Sequence, residues 1–204
     1  MNVHPLSSNL EAAEEWDPRP SVEEVERAFR TIIRYAGDNP NRDGLQDTPA
    51  RARRALDEYF SGYDADPALI LQKTFAETGG YDEMVTLQAI PFESHCEHHL
   101  APIIGRVWVA YLPGDRVVGI SKLARTVDAF AKRLQIQERM TAQIADVIND
   151  VLQPRGVGVV VKAVHHCMSS RGVHKTGSEM VTSRMLGSFR DVPAVRQEFL
   201  SLVD

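Results

Sequence analysis

Both cysteines of this 204-residue chain, and five of its seven histidines, fall in two short segments far apart in sequence. One is Ser94-His95-Cys96-Glu97-His98-His99, the other Val164-His165-His166-Cys167. Any fold that brings the two together gathers thiols and imidazoles, the donors that zinc accepts well. In a reducing compartment, cysteines beside histidines are more often metal-binding or catalytic than disulfide-bonded. Two cysteines also admit one disulfide, or a pair of incidental buried thiols. The spacing favours one shared zinc ion, and so demands a fold in which the two segments meet.

Cys96 and His99 are three apart, so one turn of chain can aim both at a single ion. Cys167 adds a second thiolate. Three protein ligands leave a position open, which marks a catalytic rather than a structural zinc. A structural site needs a fourth ligand, and His95, Glu97, His98 or His165 could supply it. If the strand from Gly156 runs on through Cys167, His165 and Cys167 share a face and His166 points away. Imidazoles at 98 and 165 beside a metal suit acid–base work, because they titrate near neutrality. A metal lowers the pKa of its bound water from about 15.7 toward 7. Two thiolates donate charge and weaken that effect, which makes an assisting base more useful.

Composition excludes several classes. Net charge is −5, from 23 basic and 28 acidic residues, so bulk electrostatics do not favour nucleic acid. The hydrophobic fraction of 43% and charged fraction of 25% suit a soluble globular chain. No apolar run approaches the roughly 20 residues that span a bilayer. Residues 1–16 lack the basic start and apolar core of a secretory signal. The expected location is the cytoplasm, with no membrane and no nucleic-acid partner. A small anionic ligand would need a local basic cluster.

In chain order, residues 1–20 read as a flexible tail and 21–204 as one domain, helical over 21–80 with the core over 81–204. Ser21 and Glu24 form a capping box, and Val22, Val25, Phe29, Ile32 and Ile33 share a helix face. Gly37 to Gly44 is a loop. Thr48 caps a second helix with Pro49 at its first position, ended by Ser61-Gly62. Its first turns carry Arg51, Arg53 and Arg54, either a solvated basic face or a phosphate contact. Strands are predicted over Met84 to Phe92, Ile103 to Leu112 and Gly156 to Val164, with a weaker one within Val173 to Ser188. Val117 to Ile120 is a short apolar run. Ser121 is expected to cap a helix burying Leu123, Val127, Phe130, Ala131 and Leu134. Another helix spans Glu138 to Leu152, with Met140, Ile144, Val147, Ile148 and Val151 inward. A last one spans Pro193 to Leu202. Helices and strands come in blocks, which argues α+β with a mainly antiparallel sheet.

A second signal lies in Gly119-Ile120-Ser121-Lys122-Leu123-Ala124-Arg125. Ser121 at a helix start offers free N–H groups to an anion, and Lys122 and Arg125 are neighbours on one face. Arg171 follows Cys167 by four residues. Together they make a polyphosphate site plausible, although a solvated helix start is the simpler reading of that segment alone. Gln137-Glu138, in the turn between two helices, offers a carboxylate and an amide to the N1–H and 2-amino edge of a guanine.

Cys96-Glu97-His98-His99, Gly119-Ile120-Ser121-Lys122, Gln135-Ile136-Gln137-Glu138-Arg139 and Ala163-Val164-His165-His166-Cys167 stand in an order that resembles GTP cyclohydrolase I. Thr48-Pro49-Ala50-Arg51 and Thr182-Ser183 extend the resemblance, which runs from about Ser21 to Arg196-Gln197-Glu198-Phe199-Leu200. It implies a tunnelling fold, an antiparallel sheet with helices packed on one face, plus an N-terminal helical extension. It implies a zinc enzyme that turns GTP and water into 7,8-dihydroneopterin triphosphate and formate, entering folate or tetrahydrobiopterin synthesis. It implies a homodecamer, a dimer of pentamers, with active sites at subunit contacts and one zinc per subunit. By motif match Cys96, His99 and Cys167 hold the ion and His98 and His165 are the acid–base pair. Glu138 with Gln137 holds guanine, and Lys122, Arg125 and Arg171 hold the triphosphate. Ser121 matches a ribose- or phosphate-proximal serine, and Arg51 and Arg54 match positions near the phosphates. His95 and His166 depart from the family, which usually has an apolar residue such as methionine at each. His95 is a fourth ligand or, on the favoured reading, a surface residue.

Overall fold

In a computed structural model, residues 19–75 and 80–203 are described. The tail expected over 1–20 therefore lies, but for its last two residues, outside them. The chain divides into one unit up to Leu56 and a second from Asp57. Helix α1 (Val22–Tyr35) opens the first unit with the expected capping box, in which Ser21 Oγ accepts from the Glu24 amide and the Glu24 carboxylate accepts from the Ser21 amide. None of its residues is fully buried: of the apolar face predicted for it, Val25, Phe29 and Ile33 are half-buried and Val22 and Ile32 are exposed. Helix α2 (Thr48–Tyr59) follows, with Thr48 already inside the helix.

The second unit continues through a 3-10 turn (Ser61–Asp64), α3 (Pro67–Leu71) and β1 (Thr74–Phe75). Then come β2 (Val85–Cys96), β3 (Pro102–Leu112), β4 (Val117–Val118), α4 (Ile120–Ala131), β5 (Leu134–Gln135) and α5 (Gln137–Leu152). The rest is β6 (Gly156–His165), α6 (His166–Ser169), β7 (Met180–Gly187), α7 (Ser188–Asp191) and α8 (Pro193–Ser201). The main sheet has the order β5-β2-β3-β6-β7, antiparallel except for the short β5–β2 pair. The architecture is α+β, as the blocks of helix and strand predict.

Alternation along β3 sends Ile103, Val107, Val109 and Tyr111 to one face. All four are buried there with Leu123 and Val127 of α4 and Met140, Ile144 and Ile148 of α5. On the opposite face Trp108, Ala110 and Val160 form a smaller cluster with Phe189 and Phe199 of the C-terminal helices. The Phe189 and Phe199 rings meet edge-on at 5.5 Å. One end of β3 is therefore buried on both faces.

Several local expectations change. Ser121 is the second residue of α4, and Gly119 is its cap, with no side-chain cap bond. Leu134 belongs to β5 rather than to a helix face, because the helix stops at Ala131. Gln137 and Glu138 open α5 instead of lying in a turn. Strand β2 runs four residues past its expected end at Phe92, into the first cluster itself. Strand β6 stops at His165, and Cys167 lies in the helical turn α6. The face-sharing argued for His165 and Cys167 from strand alternation does not apply, since the strand is over before Cys167.

Candidate metal centre

The two cysteine segments reach the same end of the sheet by register. His95 at the end of β2 pairs with Pro102 at the start of β3, and Ile103 pairs with His165 at the end of β6. Strand β3 thus separates the two, which leaves about 10 Å between β2 and β6 at two strand spacings. The gap is closed by turns. Glu97 to His99 form one after β2, closed by the Leu100 amide on the Cys96 carbonyl (2.8 Å) and the Cys96 amide on the Ala101 carbonyl (2.8 Å). Leu100 takes φ 53 to complete it. α6 turns the other segment over the start of β3.

One donor atom each from Cys96, His99 and Cys167 then lies within 4.8 Å of the others. Tetrahedral zinc with bonds of about 2.0–2.3 Å needs donors roughly 3.3–3.8 Å apart, so the group fits with small side-chain adjustments. Cys96 Sγ is 4.0 Å from His99 Nδ1 and 3.6 Å from His98 Nδ1. Although nearer Cys96, His98 does not join the group with Cys167. Among the described residues the group has three members, so no fourth protein ligand closes it. Burial and the neighbouring Cys96 push the Cys167 thiol up, an effect only partly offset by Arg171. A metal binding here would displace that proton, because the thiolate is the ligand form.

His95 is neither a ligand nor a surface residue. Alternation turns it away from Cys96. It is 9% exposed, its ring 4.6 Å from that of Tyr59 and 5.5 Å from that of Phe60. Burial lowers its pKa, so the neutral ring is favoured in this aromatic slot. An apolar residue suits the same place, which accounts for the departure at 95.

The metal turn is held from outside. Arg139 on α5 pairs with the Glu97 carboxylate and also donates to Gln135 Oε1 at 3.2 Å. The Glu97 amide donates to the Gln135 carbonyl at 3.1 Å. Replacing Glu97 by alanine is expected to weaken zinc binding about tenfold, as loss of outer-shell support does at other metal sites. Competition with a chromophoric chelator measures this, and an unchanged affinity would show that the turn holds its shape unaided.

His165 is half-buried beside the group, and burial lowers its pKa against a smaller opposing pull from Glu138. Its Nε2 lies 2.8 Å from Gln137 Oε1. Gln137 itself is only 1% exposed. Glu138, next along α5, is exposed and lines a cleft of about 260 Å³ with Thr141, Ala142, Thr182, Ser183 and Arg184. Arg171 is exposed just beyond α6. Ser121, Lys122 and Arg125 lie on α4, where Arg125 lines a separate cleft with Asp128 and Lys132. Arg51 and Arg54 belong to the first unit and are exposed, Arg51 3.8 Å from Asp47. Within the chain, therefore, Cys96, His98, His99, His165 and Cys167 come together with Gln137.

The family model for GTP cyclohydrolase I matches residues 25–204. A protein named GTP cyclohydrolase 1 from Maricaulis maris (strain MCS10) is 54% identical over 202 residues, covering 99% of this chain and 98% of that protein. Among solved structures, the apo form of the archaeosine synthase QueF-Like aligns with 51% of this chain and 93% of its own, at 22% identity and a TM-score of 0.43. On the family match and the full-length relative, this chain belongs to the GTP cyclohydrolase I family of enzymes.

Proposed function

We propose that this chain converts GTP and one net water to 7,8-dihydroneopterin triphosphate and formate, the first step of folate or other pterin synthesis. The observation that carries the proposal is the convergence of Cys96, His99 and Cys167 without a fourth ligand among the described residues. These three hold one zinc per subunit. When bound, zinc supplies Lewis-acid activation of water for attack at C8 of the guanine. His165 places a proton on N7, which makes C8 more electrophilic. Opening of the imidazole ring leaves a formamide, and its hydrolysis releases formate. His98, exposed on the metal turn, shuttles protons to and from solvent. Opening and Amadori-type rearrangement of the ribose then lead to the pteridine ring, through proton transfers alone.

Glu138 accepts from the N1–H and 2-amino group of guanine at the mouth of its cleft. Gln137, beside it on α5, is only 1% exposed. Lys122, Arg125 and Arg171 neutralise the triphosphate, Ser121 lies near the ribose or the phosphates, and Arg51 and Arg54 add positive charge around them. The working form is a cytoplasmic homodecamer, a dimer of pentamers, with each site shared between subunits. No helix among the described residues is long and apolar enough to cross a membrane.

Incubating the zinc-loaded protein with GTP, and assaying formate together with the pterin fluorescence that follows oxidation, tests the reading. Equimolar formate and pterin are expected. Intact zinc with no product, or ammonia in place of formate, would overturn it.

A further inference from the structure

The Gln137 amide sits between two sets of partners that leave it only one orientation. One end lies 3.2 Å from the Val161 carbonyl, 3.0 Å from the Met180 carbonyl and 3.1 Å from Thr182 Oγ1. Backbone carbonyls accept and cannot donate, so this end is the NH2 group. The hydroxyls agree. Thr141 Oγ1 donates its only proton to the Gln137 backbone carbonyl at 2.7 Å. Thr182, 2.7 Å from Thr141 Oγ1, must then donate to it. That leaves Thr182 Oγ1 as an acceptor for Gln137 Nε2. The other end of the amide is thereby its carbonyl oxygen, and it faces His165 Nε2 at 2.8 Å. A carbonyl oxygen accepts only, so the proton in that bond belongs to His165.

We infer that Gln137 is a positioning residue that fixes the ring of His165 in the tautomer with its proton on Nε2, which leaves Nδ1 as the unprotonated nitrogen. The inference rests on the role proposed above for His165. It gives Gln137 a task different from the guanine contact read from the sequence. The anchors come from three elements, α5, β6 and β7, so the tautomer is set by strand pairing and not by one flexible side chain. None of the side-chain atoms in this chain of bonds is left buried without a partner, the condition under which a buried network specifies a single arrangement.

A double-mutant cycle on the zinc-loaded enzyme tests this. Gln137→Met should lower kcat about 10–100-fold, the usual cost of losing an orienting partner. It should leave the Kd of a non-hydrolysable GTP analogue unchanged. In a His165→Ala background the same substitution should cost nothing further, because residues acting as a unit are not additive. Weaker analogue binding with kcat preserved, or an equal loss in both backgrounds, would overturn the inference in favour of a guanine contact. Thr182→Val removes one anchor and should give a smaller kcat loss that Thr182→Ser restores, so the inference remains testable if Gln137→Met does not fold. The 15N spectrum of histidine-labelled wild type gives a readout without turnover. His165 Nε2 should be the protonated nitrogen of the neutral ring, and the opposite assignment sinks the inference. Absence of formate from the wild type would instead strike the proposed reaction and leave the spectrum to decide the tautomer.

Discussion

Replacing Cys167 with serine is expected to strip zinc from the protein and abolish formate release while leaving the fold intact. Structural zinc sites are worth about 10–16 kcal/mol over four ligands, so one ligand carries roughly 2.5–4 kcal/mol, on the order of 10²–10³-fold in affinity. Here the loss leaves only Cys96, buried at the end of β2, and His99 on the exposed turn that follows it. Elemental analysis after dialysis, together with the formate assay, reads both effects. Full turnover in a zinc-free variant would contradict the metal role altogether. Cys167 is half-buried at the start of α6 and packs at the edge of the main core, so the smaller serine is not expected to disturb the sheet.

Gly105→Ala should be the most damaging change away from the metal. Gly105 lies in β3 opposite Ala163 of β6. An added Cβ would stand 2.1 Å from the Lys162 carbonyl oxygen and 2.6 Å from Ala163 Cβ. The first obstacle is backbone within the hydrogen-bonded ladder, which cannot rotate away. Glycine in a strand commonly marks such a close approach. A loss on the order of 4 kcal/mol is expected, near the top of the range for one substitution and a large share of a domain's 5–15 kcal/mol. A urea titration followed by circular dichroism measures it, and an unshifted midpoint would mean that β3 and β6 separate at little cost. Zinc content should fall in parallel, because the same pair of strands carries the start of β3 to His165.

Much of this was legible because hydrophobic periodicity is strong where burial is one-sided. The faces of α4 and α5, and the alternation along β3, are decided by local patterns that tertiary packing did not override. The meeting of the two cysteine-histidine segments was legible for a different reason, since cysteine and histidine are scarce and their spacing is chemical. The misreadings have physical causes. His95 looked like a surface or ligand residue because histidine is polar, yet Tyr59 and Phe60 offer a ring-shaped slot that no local pattern announces. The strand expected over Gly156 to Val164 ends one residue later, at His165; its conditional run through Cys167 fails, and Val164-His165-His166-Cys167 contains no glycine or proline to mark where the strand gives way to α6. The burial of Gln137 depends on β7, the most weakly patterned strand, which supplies Met180 and Thr182. Short elements such as α3, β1, β5 and α7 are too brief for a period to register.

The placement of β3 between the strands that bear the two halves of the metal group has a consequence for how the protein comes together. Before the sheet forms, an ion can be held by the Cys96–His99 turn alone, a weak bidentate grip. The third donor arrives only when β6 has paired with β3, a non-local event and therefore a late one in folding. Tight zinc binding is thus selective for chains that have completed the β2-β3-β6 ladder, and free zinc stabilises those chains by mass action. The gain is about 2.7 kcal/mol at a hundred times the dissociation constant. Zinc availability and the stability of this protein are then coupled quantities, so removing the metal should lower the unfolding midpoint of a chain that stays folded, and loss of specific activity should precede any loss of protein.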